Sequence, residues 1–513
     1  MKKILTIILL ATLVFTGCKD DFFDINDSPN NAIEENMTPS LVLPRALHRL
    51  AATSATNYDV YFRWLGYWSR SGTYGPNTDE EGYNITSTFQ RTSWLDMYDI
   101  LKDVDVIEKN ATARNETAYV GIAKILKSIG FMHLVDQYNN VPYFKAFDLA
   151  NNMLTPYDKG EDIYADLINQ LDSADLLLKS AVIAENLDLG TADIMFKGSL
   201  AKWRKLGNTQ RLRLIIHQSE KIGNAGMKTE IDKIVANGGG FLGSGETAEV
   251  QPMYSKDVNK QNPYWNTFKI NDAGGLDNFN RANNYFLNLL IGAGDVRYKY
   301  FFSEAASPTN GETYYGFDYG YAGDDKSAAQ SSDVAGTGPG SYTNRPDTIN
   351  SDINKRRGIG KGFDMPQWLF TSFESLFLQA EAIQRGALAG DPKVAYEKAV
   401  RESFVWLNVE DIDQISTTYL TKPIANWDSN TDKFKLIMTQ KYISMCGING
   451  LESWTDYRRT GIPNVPLSVS DSRGTKVIPL RLVYPQEEYQ YNKANVTAEG
   501  TIDPQKTKIF WDN

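Results

Sequence analysis

Apolar residues recur at helical spacing through the first half of the chain. Between Glu161 and Lys179 they follow steps of four, four, three and four residues, at Ile163, Leu167, Leu171, Ala174 and Leu178. This spacing places all five on one face of a helix, with acidic residues at its positive N-terminal end and Lys179 near its C-terminus. Residues 117–136 repeat the pattern, so we predict paired helices with short turns over about residues 41–235.

A second helical region is predicted over about residues 366–460. Apolar residues from Leu369 to Ala387 follow steps of four, three, four, three and four. Asp391 followed by Pro392 is typical of a helix start, because an aspartate caps the first turn and proline fits the first helical position. Two such helices in succession resemble a tetratricopeptide unit. We therefore predict a mostly α fold in which tetratricopeptide-like helix pairs form a scaffold.

Residues 237–365 break every regular period. Glycine and small polar residues dominate, and tyrosines recur, in GGGFLGSGE, NDAGGLDNFNR, YYGFDYGYAGDD and VAGTGPGSYTNRP. Long irregular stretches inside a folded chain are usually functional loops or disorder, and disordered segments are poor in aromatic residues. We expect this loop-rich region to carry the ligand face of a single domain that spans residues 41–513.

The first residues have the form of an export signal. Lys2 and Lys3 precede an apolar stretch from Ile4 to Phe15 that is too short to span a bilayer comfortably, and two small residues come just before Cys18. The pattern resembles a bacterial lipoprotein signal peptide, which implies cleavage after residues 1–17 and lipidation of Cys18. The alternative is an ordinary secretory leader with a chance cysteine.

The polar segment after this cysteine adds a location. The run KDD at residues 19–21 resembles the surface-export signal of Bacteroidetes lipoproteins. Together the two resemblances imply a lipid-anchored protein of the cell outer membrane that faces outward. Residues 18–40 are then the lipidated N-terminus and a flexible tether.

Composition narrows the functional classes. The 513 residues carry a net charge of −10, which argues against a nucleic-acid partner because such surfaces need clustered positive charge. The histidines His48, His133 and His217 are far apart, so the sequence offers no metal or cofactor motif.

Cys446 lies in the apolar run YISMCGI and is expected to be buried and inert. We expect no later apolar run to approach the length of a membrane helix, which leaves lipid as the only anchor.

Several collinear segments resemble the SusD/RagB family of outer-membrane lipoproteins, in its SusD-like branch. They are GSLAKWRKLGNTQRLRL at 198–214, FLQAEAIQRGALAGDPKVAYEKAVRESF at 377–404, QKYISMCGINGLESWTDYRRTGIP at 440–463 and IPLRLVYPQEEYQYN at 478–492. The resemblance implies four tetratricopeptide-like helix pairs under a loop-rich face. It also implies a non-enzymatic protein that binds oligosaccharide and delivers it to a SusC-like TonB-dependent transporter. A RagB-like protein that binds peptides instead is the alternative.

Aromatic residues in irregular segments are the candidates for ligand contact. Sugar rings have apolar faces that stack on aromatic rings, and their hydroxyls pair with amides and charged groups. The candidates are Tyr67, Trp68, Tyr74, Asn278, Phe279, Arg281, Tyr315 and Tyr319. By contrast, we interpret Trp203, Arg213 and Trp454 as scaffold residues, because they lie on predicted helices where packing and ion pairs are the usual roles.

Three further hypotheses follow from single features. Asp324 and Asp325 could ligate a structural calcium ion, but two adjacent acids without a loop pattern are a weak signal, so we predict no cofactor. Paired carboxylates could serve a surface glycoside hydrolase. With 63 acidic residues some pair always lies at a plausible distance, so the sequence does not support this and we predict no enzymatic activity. A purely structural lid over a transporter is the third hypothesis.

Overall fold

The part of the chain that can be described excludes the N-terminus and several short loops. The computed structural model describes residue 34 and residues 37–148, 150–309, 311–323, 326–340 and 349–512. The predicted signal peptide, the predicted lipidation site Cys18, most of the predicted tether, and the acidic pair Asp324 and Asp325 lie outside these residues.

Helices dominate the described residues. The first half holds α1 (Pro39–Thr56), α2 (Asp59–Trp64), α3 (Thr78–Gly82), α4 (Arg91–Arg114), α5 (Thr117–Tyr138), α6 (Gly160–Ser180), α7 (Leu189–Ala192), α8 (Leu200–His217) and α9 (Ser219–Asn237). The second half holds α10 (Pro263–Phe268), α11 (Asn284–Ala293), α12 (Tyr298–Phe301), α13 (Ser372–Gln384), α14 (Pro392–Trp406), α15 (Ile412–Tyr419), α16 (Lys433–Ser444), α17 (Gly450–Thr460), α18 (Gln486–Tyr491) and α19 (Lys493–Ala498). The strands are β1 (Trp68–Arg70), β2 (Ala248–Val250), β3 (Asn280–Ala282) and β4 (Gln367–Phe370). They form two antiparallel pairs, β1 with β3 and β2 with β4.

Antiparallel helix pairs form the scaffold. Only Asn115 and Glu116 separate α4 from α5, and Asn115 ends α4 in the left-handed conformation with φ +60°. The short connection packs α4 against α5, and α6 packs on the next face of α5. Helices α13 and α14 form a corresponding pair late in the chain. The predicted fold class of tetratricopeptide-like helix pairs is confirmed.

The predicted helix signals agree with the observed boundaries in most places. The apolar stripe predicted over residues 161–179 lies on α6, which spans Gly160–Ser180 and buries all five stripe residues. Asp391 caps α14, because its carboxylate accepts a hydrogen bond from the Val394 backbone N–H at 3.1 Å. The capping signal was therefore sufficient to locate this helix start.

The predicted start of the late helical region is wrong by several residues. Leu369 lies in strand β4 and not on a helix face, since α13 begins at Ser372. The Thr371 hydroxyl accepts a hydrogen bond from the Glu374 backbone N–H at 3.4 Å and caps the helix there. Every residue of β4 is buried. A short, fully buried apolar run does not distinguish strand from helix, and this explains the error.

Helix α5 corrects the expectation that no apolar run after the leader reaches membrane length. By length and composition, Thr117–Tyr138 is the one described helix that could cross a membrane, with a mean hydropathy of 1.3. However, 83% of its most apolar window is buried inside the fold. Helices α4, α6 and α8 all pack against it, so a central helix of a folded core needs apolar residues on every side.

A buried ion network joins the helices at the centre of the fold. It consists of Asp136, Arg213, His217, Glu374, Glu381, Lys441, Glu452, Asp456 and Arg459. Lys441 lies 2.7 Å from both Glu452 and Asp456, and Arg459 lies 2.6 Å from Glu381. These residues come from α5, α8, α13, α16 and α17, so the network connects both helical regions.

The charges within the network change the protonation of its members. Burial alone would lower the pKa of His217, but the carboxylates of Glu452 and Asp136 raise it to about 9. Burial opposes ionisation of Glu452, yet Lys441 and His217 hold its pKa well below the usual value. His217 therefore stays protonated in the folded protein at neutral pH.

We expect the network to make stability depend on pH through His217. Its pKa is about 6.5 when unfolded and about 9 when folded, so its contribution is complete below pH 6.5 and disappears as the pH rises through 9. The free energy of unfolding should fall by about 3 kcal/mol over this window. Urea denaturation at several pH values measures the slope, which the His217→Gln variant should reduce.

His133 provides a matched control for this experiment. It is equally buried, but burial lowers its pKa to about 3, so it is neutral across the whole window. The His133→Gln variant should keep the pH slope of the original protein, whatever its absolute stability. An unchanged slope in the His217→Gln variant would contradict the assignment.

Candidate functional site

Two distant segments that the sequence marked as candidates meet at one small sheet. Strand β1 pairs with β3, so that Ser69 lies opposite Arg281 and Arg70 opposite Asn280. Beyond the strand end, the Ser71 backbone N–H donates a hydrogen bond to the Phe279 carbonyl at 2.8 Å. The loop after β1 and the loop before β3 therefore lie side by side.

The loops at this sheet present an aromatic surface, defined here as Tyr74, Asn278, Phe279 and Tyr321. The rings of Tyr74 and Phe279 meet edge to face, with centroids 5.2 Å apart and planes at 82°. Tyr74 is 42% exposed, Asn278 is exposed and Phe279 is half-buried. Tyr321, which is 37% exposed, lies on an adjoining loop. The surface thus combines flat apolar rings with an amide and phenol hydroxyls.

Arg70 holds the loops of the aromatic surface together from below. Its buried guanidinium donates hydrogen bonds to the backbone carbonyls of Ser71, Tyr74 and Tyr321, and it pairs with Glu81 at 2.8 Å. A planar guanidinium can serve several acceptors at once, which a lysine cannot do in the same geometry. Arg70 therefore fixes the backbone that carries both tyrosines.

The two tyrosine loops also approach each other closely at a glycine. A Cβ atom on Gly72 would lie 2.2 Å from the Gly323 carbonyl oxygen, a distance that no side chain tolerates. Glycine at position 72 is therefore required for the close contact of these loops.

The loop that carries Phe279 is fixed by its own polar groups. The Asp277 carboxylate accepts hydrogen bonds from the backbone N–H groups of Phe279 and Asn280, at 2.9 and 3.2 Å. Arg281 donates to the Asp277 carbonyl at 2.8 Å and to the Asn278 side-chain oxygen at 3.3 Å. Burial raises the pKa of Asp277 and lowers that of Arg281. Among the described residues none accepts a hydrogen bond from the Asn278 amide nitrogen, which leaves this group for contacts with a ligand.

A second arginine supports the Phe279 ring. The Arg63 guanidinium lies 5.5 Å from the ring centroid and pairs with Glu80 at 2.5 Å. It also donates a hydrogen bond to the Asn280 side chain at 2.7 Å. The ring is therefore held on its inner side by a fixed cation, an arrangement that favours the observed orientation.

Four of the predicted ligand residues lie in the interior, and their expected role requires correction. Tyr67, Trp68 and Arg281 are completely buried and Tyr319 is 4% exposed. Tyr67 stacks on Tyr442 with ring centroids 4.4 Å apart. A side chain that is packed on all sides has no face for a ligand, so we assign these four residues to support of the site.

Tyr315 lies at the margin of the predicted site. It is half-buried, and the Lys326 ammonium lies 3.0 Å from its ring centroid. This cation covers one face of the ring.

Of the eight residues predicted from the sequence, Tyr74, Asn278 and Phe279 belong to the aromatic surface, together with Tyr321. The supporting roles of Arg63 and Arg70 had no signal in residue spacing.

The scaffold interpretation of the helical tryptophans and arginines agrees with their positions. Trp203, Arg213 and Trp454 are at most 1% exposed. Cys446 is also completely buried, and burial raises the pKa of its thiol well above the usual value. These residues therefore belong to the core.

Comparison with known proteins gives one family and many related structures. The family model described as starch-binding and associating with the outer membrane matches residues 29–485. A SusD homologue from Bacteroides fragilis is 20% identical with a TM-score of 0.71, covering 93% of this chain and 99% of that one. A chitin-binding SusD homologue from Flavobacterium johnsoniae is 21% identical with a TM-score of 0.70, covering 92% and 98%. A protein named as chitin-binding is 22% identical with a TM-score of 0.70, covering 93% and 100%. No curated protein matches the chain.

We predict that the Arg70→Lys variant loosens the aromatic surface without unfolding the protein. Lysine keeps the charge opposite Glu81 but loses most of the hydrogen bonds to the loop carbonyls. Hydrogen–deuterium exchange should become faster in residues 71–75 and 321–323. As a control, Arg481→Lys changes another buried arginine that binds backbone carbonyls but contacts none of these loops. Equal exchange in both variants at residues 71–75 would contradict the assigned role.

Proposed function

The chain belongs to the SusD-like family of starch-binding proteins that associate with the outer membrane, and from this premise we propose a specific role for it. It is a surface lipoprotein that binds oligosaccharide through the aromatic surface and delivers it to a SusC-like TonB-dependent transporter. The protein itself carries out no chemical step. Lipid on Cys18 anchors it to the outer leaflet, and the tether lets it move relative to the transporter.

The observation that supports glycan binding is the geometry of Tyr74 and Phe279. Two rings at right angles offer apolar faces in different directions, which suits successive sugar units of a chain that turns. The exposed Asn278 amide and the Tyr74 hydroxyl supply hydrogen bonds to sugar hydroxyls. None of the four residues of the aromatic surface is charged, so the expected ligand is a neutral oligosaccharide.

The comparisons support the same ligand class. The family description refers to starch, and two structural relatives are named as chitin-binding. Both polymers consist of pyranose rings with apolar faces, which is the feature that aromatic side chains recognise. A RagB-like role in peptide binding is the alternative, and peptides therefore belong in the same binding screen.

Three carboxylates beside the aromatic surface are engaged in holding its loops, which favours a binding role over glycoside hydrolysis. Hydrolysis needs two carboxyl groups free to act on the glycosidic bond. Asp277 is engaged by backbone N–H groups, Glu80 by Arg63 and Glu81 by Arg70. Their interactions hold the loops in place, and we assign them no catalytic part.

We expect the Phe279→Ala variant to bind oligosaccharide about fivefold more weakly, because an aromatic contact of this kind contributes about 1 kcal/mol. Isothermal titration calorimetry with maltooligosaccharides and chitooligosaccharides measures the change. Tyr491→Ala removes an aromatic ring that is 75% exposed on α18, outside the aromatic surface, and should leave affinity unchanged. Binding of peptides and of no glycan would favour the RagB-like role, and equal effects of both substitutions would refute the assigned surface.

The lipid anchor is tested by the Cys18→Ala variant. Without the thiol no lipid can be attached, so the protein should leave the membrane fraction and uptake of the oligosaccharide should stop. Binding in solution should be intact, because the aromatic surface does not depend on the anchor. Cell fractionation and calorimetry measure the two properties separately. Loss of binding in this variant would contradict the tether assignment.

A further inference from the structure

A surface cavity of about 360 Å³ lies where strands β2 and β4 meet helix α14. We call it the Glu249–Lys361 cavity. Its walls include Glu249, Lys361, Met365, Trp368, Val405 and Trp406. It shares no residue with the aromatic surface, so it is a separate feature of the molecule.

The Glu249 carboxylate enters this cavity without a close partner. Glu249 lies opposite Trp368 in the β2–β4 pair. No hydrogen bond or ion pair reaches its side chain from any residue that the structure describes, although Lys361 and Lys202 attract it from a greater distance. Burial raises the pKa of Glu249, so this attraction is too weak to offset the loss of solvent.

Lys361 is the opposite charge in the same cavity. Its ammonium donates a hydrogen bond to the Trp406 carbonyl at 2.5 Å and lies 4.5 Å from the Trp406 ring centroid. Among the described residues no carboxylate lies within 4.0 Å of it. Burial lowers the pKa of Lys361 to about 8, even though Glu249 acts in the other direction. The ammonium therefore has donors available for a ligand.

Two other polar side chains of the cavity, Arg356 and Asn408, are already paired. Arg356 forms an ion pair with Asp364 and donates to the Asn350 carbonyl at 2.7 Å. The Asn408 amide donates to the carbonyls of Asn354 and Arg356, both at 3.0 Å. Of the charged side chains that line the cavity, Glu249 and Lys361 are thus the two that a ligand can pair with at little cost.

We propose that the Glu249–Lys361 cavity binds a zwitterionic α-amino acid. Its ammonium pairs with Glu249, its carboxylate accepts hydrogen bonds from Lys361, and an apolar side chain packs against Met365, Val405 and Trp368. The opposite charges of the two walls are too far apart to pair directly, and a ligand that carries both charges satisfies each of them. A ligand with a single charge leaves one wall group without a partner.

Calorimetry on the purified protein tests this inference, with L-leucine and L-phenylalanine as probes at millimolar concentration. We expect measurable binding that is weakened about 10- to 100-fold by Glu249→Gln or by Lys361→Met, since each removes one charged hydrogen bond. Glu397→Gln and Lys398→Met are matched controls on α14 outside the cavity and should have no effect. Absence of binding, or equal binding by all four variants, would overturn the proposal.

Ligands that lack either the carboxylate or the ammonium group show which of the two pairs with Glu249 and which with Lys361. L-Leucinamide lacks the carboxylate, so its weak binding should be insensitive to Lys361→Met but reduced by Glu249→Gln. N-Acetyl-L-leucine lacks the ammonium and should show the reverse pattern. The same comparison separates a free amino acid from a peptide N-terminus, which resembles leucinamide. Leucinamide that binds as tightly as leucine would contradict a zwitterion site and favour a peptide N-terminus.

Discussion

The structure depends on the burial of paired charges between helices. The buried ion network places five acidic and four basic side chains in the interior, contributed by α5, α8, α13, α16 and α17. Loss of one partner from such a pair leaves a buried charge uncompensated and costs about 3–5 kcal/mol. The helices are therefore held in one mutual arrangement, because a displaced helix would leave a charge without its partner.

This arrangement extends to the candidate binding surface through a short chain of contacts. Lys441 belongs to the network, and its neighbour Tyr442 donates a hydrogen bond to the Leu65 carbonyl at 2.7 Å. Tyr67 donates in return to the Tyr442 carbonyl at 2.7 Å. These bonds fix the entry to β1, the strand that ends at Arg70. The position of the aromatic surface thus follows from the helical scaffold below it.

The sequence predicted local features well and long-range contacts poorly. The helix over residues 161–179 and the Asp391 cap depend on residues within one turn, and both agree with the structure. Tyr74 and Trp68 had the same aromatic signal, but only the fold reveals that one is exposed and the other buried. The role of Arg70 was equally hidden, because its acceptor on Tyr321 lies 251 positions away in the chain.

We propose that oligosaccharide lies on the exposed ring of Tyr74 and the half-buried ring of Phe279. A crystal structure of the protein with a bound maltooligosaccharide or chitooligosaccharide tests it most directly. We expect sugar rings stacked against these two side chains, with Asn278 in hydrogen-bond contact and the supporting arginines unmoved. Sugar bound at a different face of the molecule, with Tyr74 and Phe279 free of ligand, would contradict it.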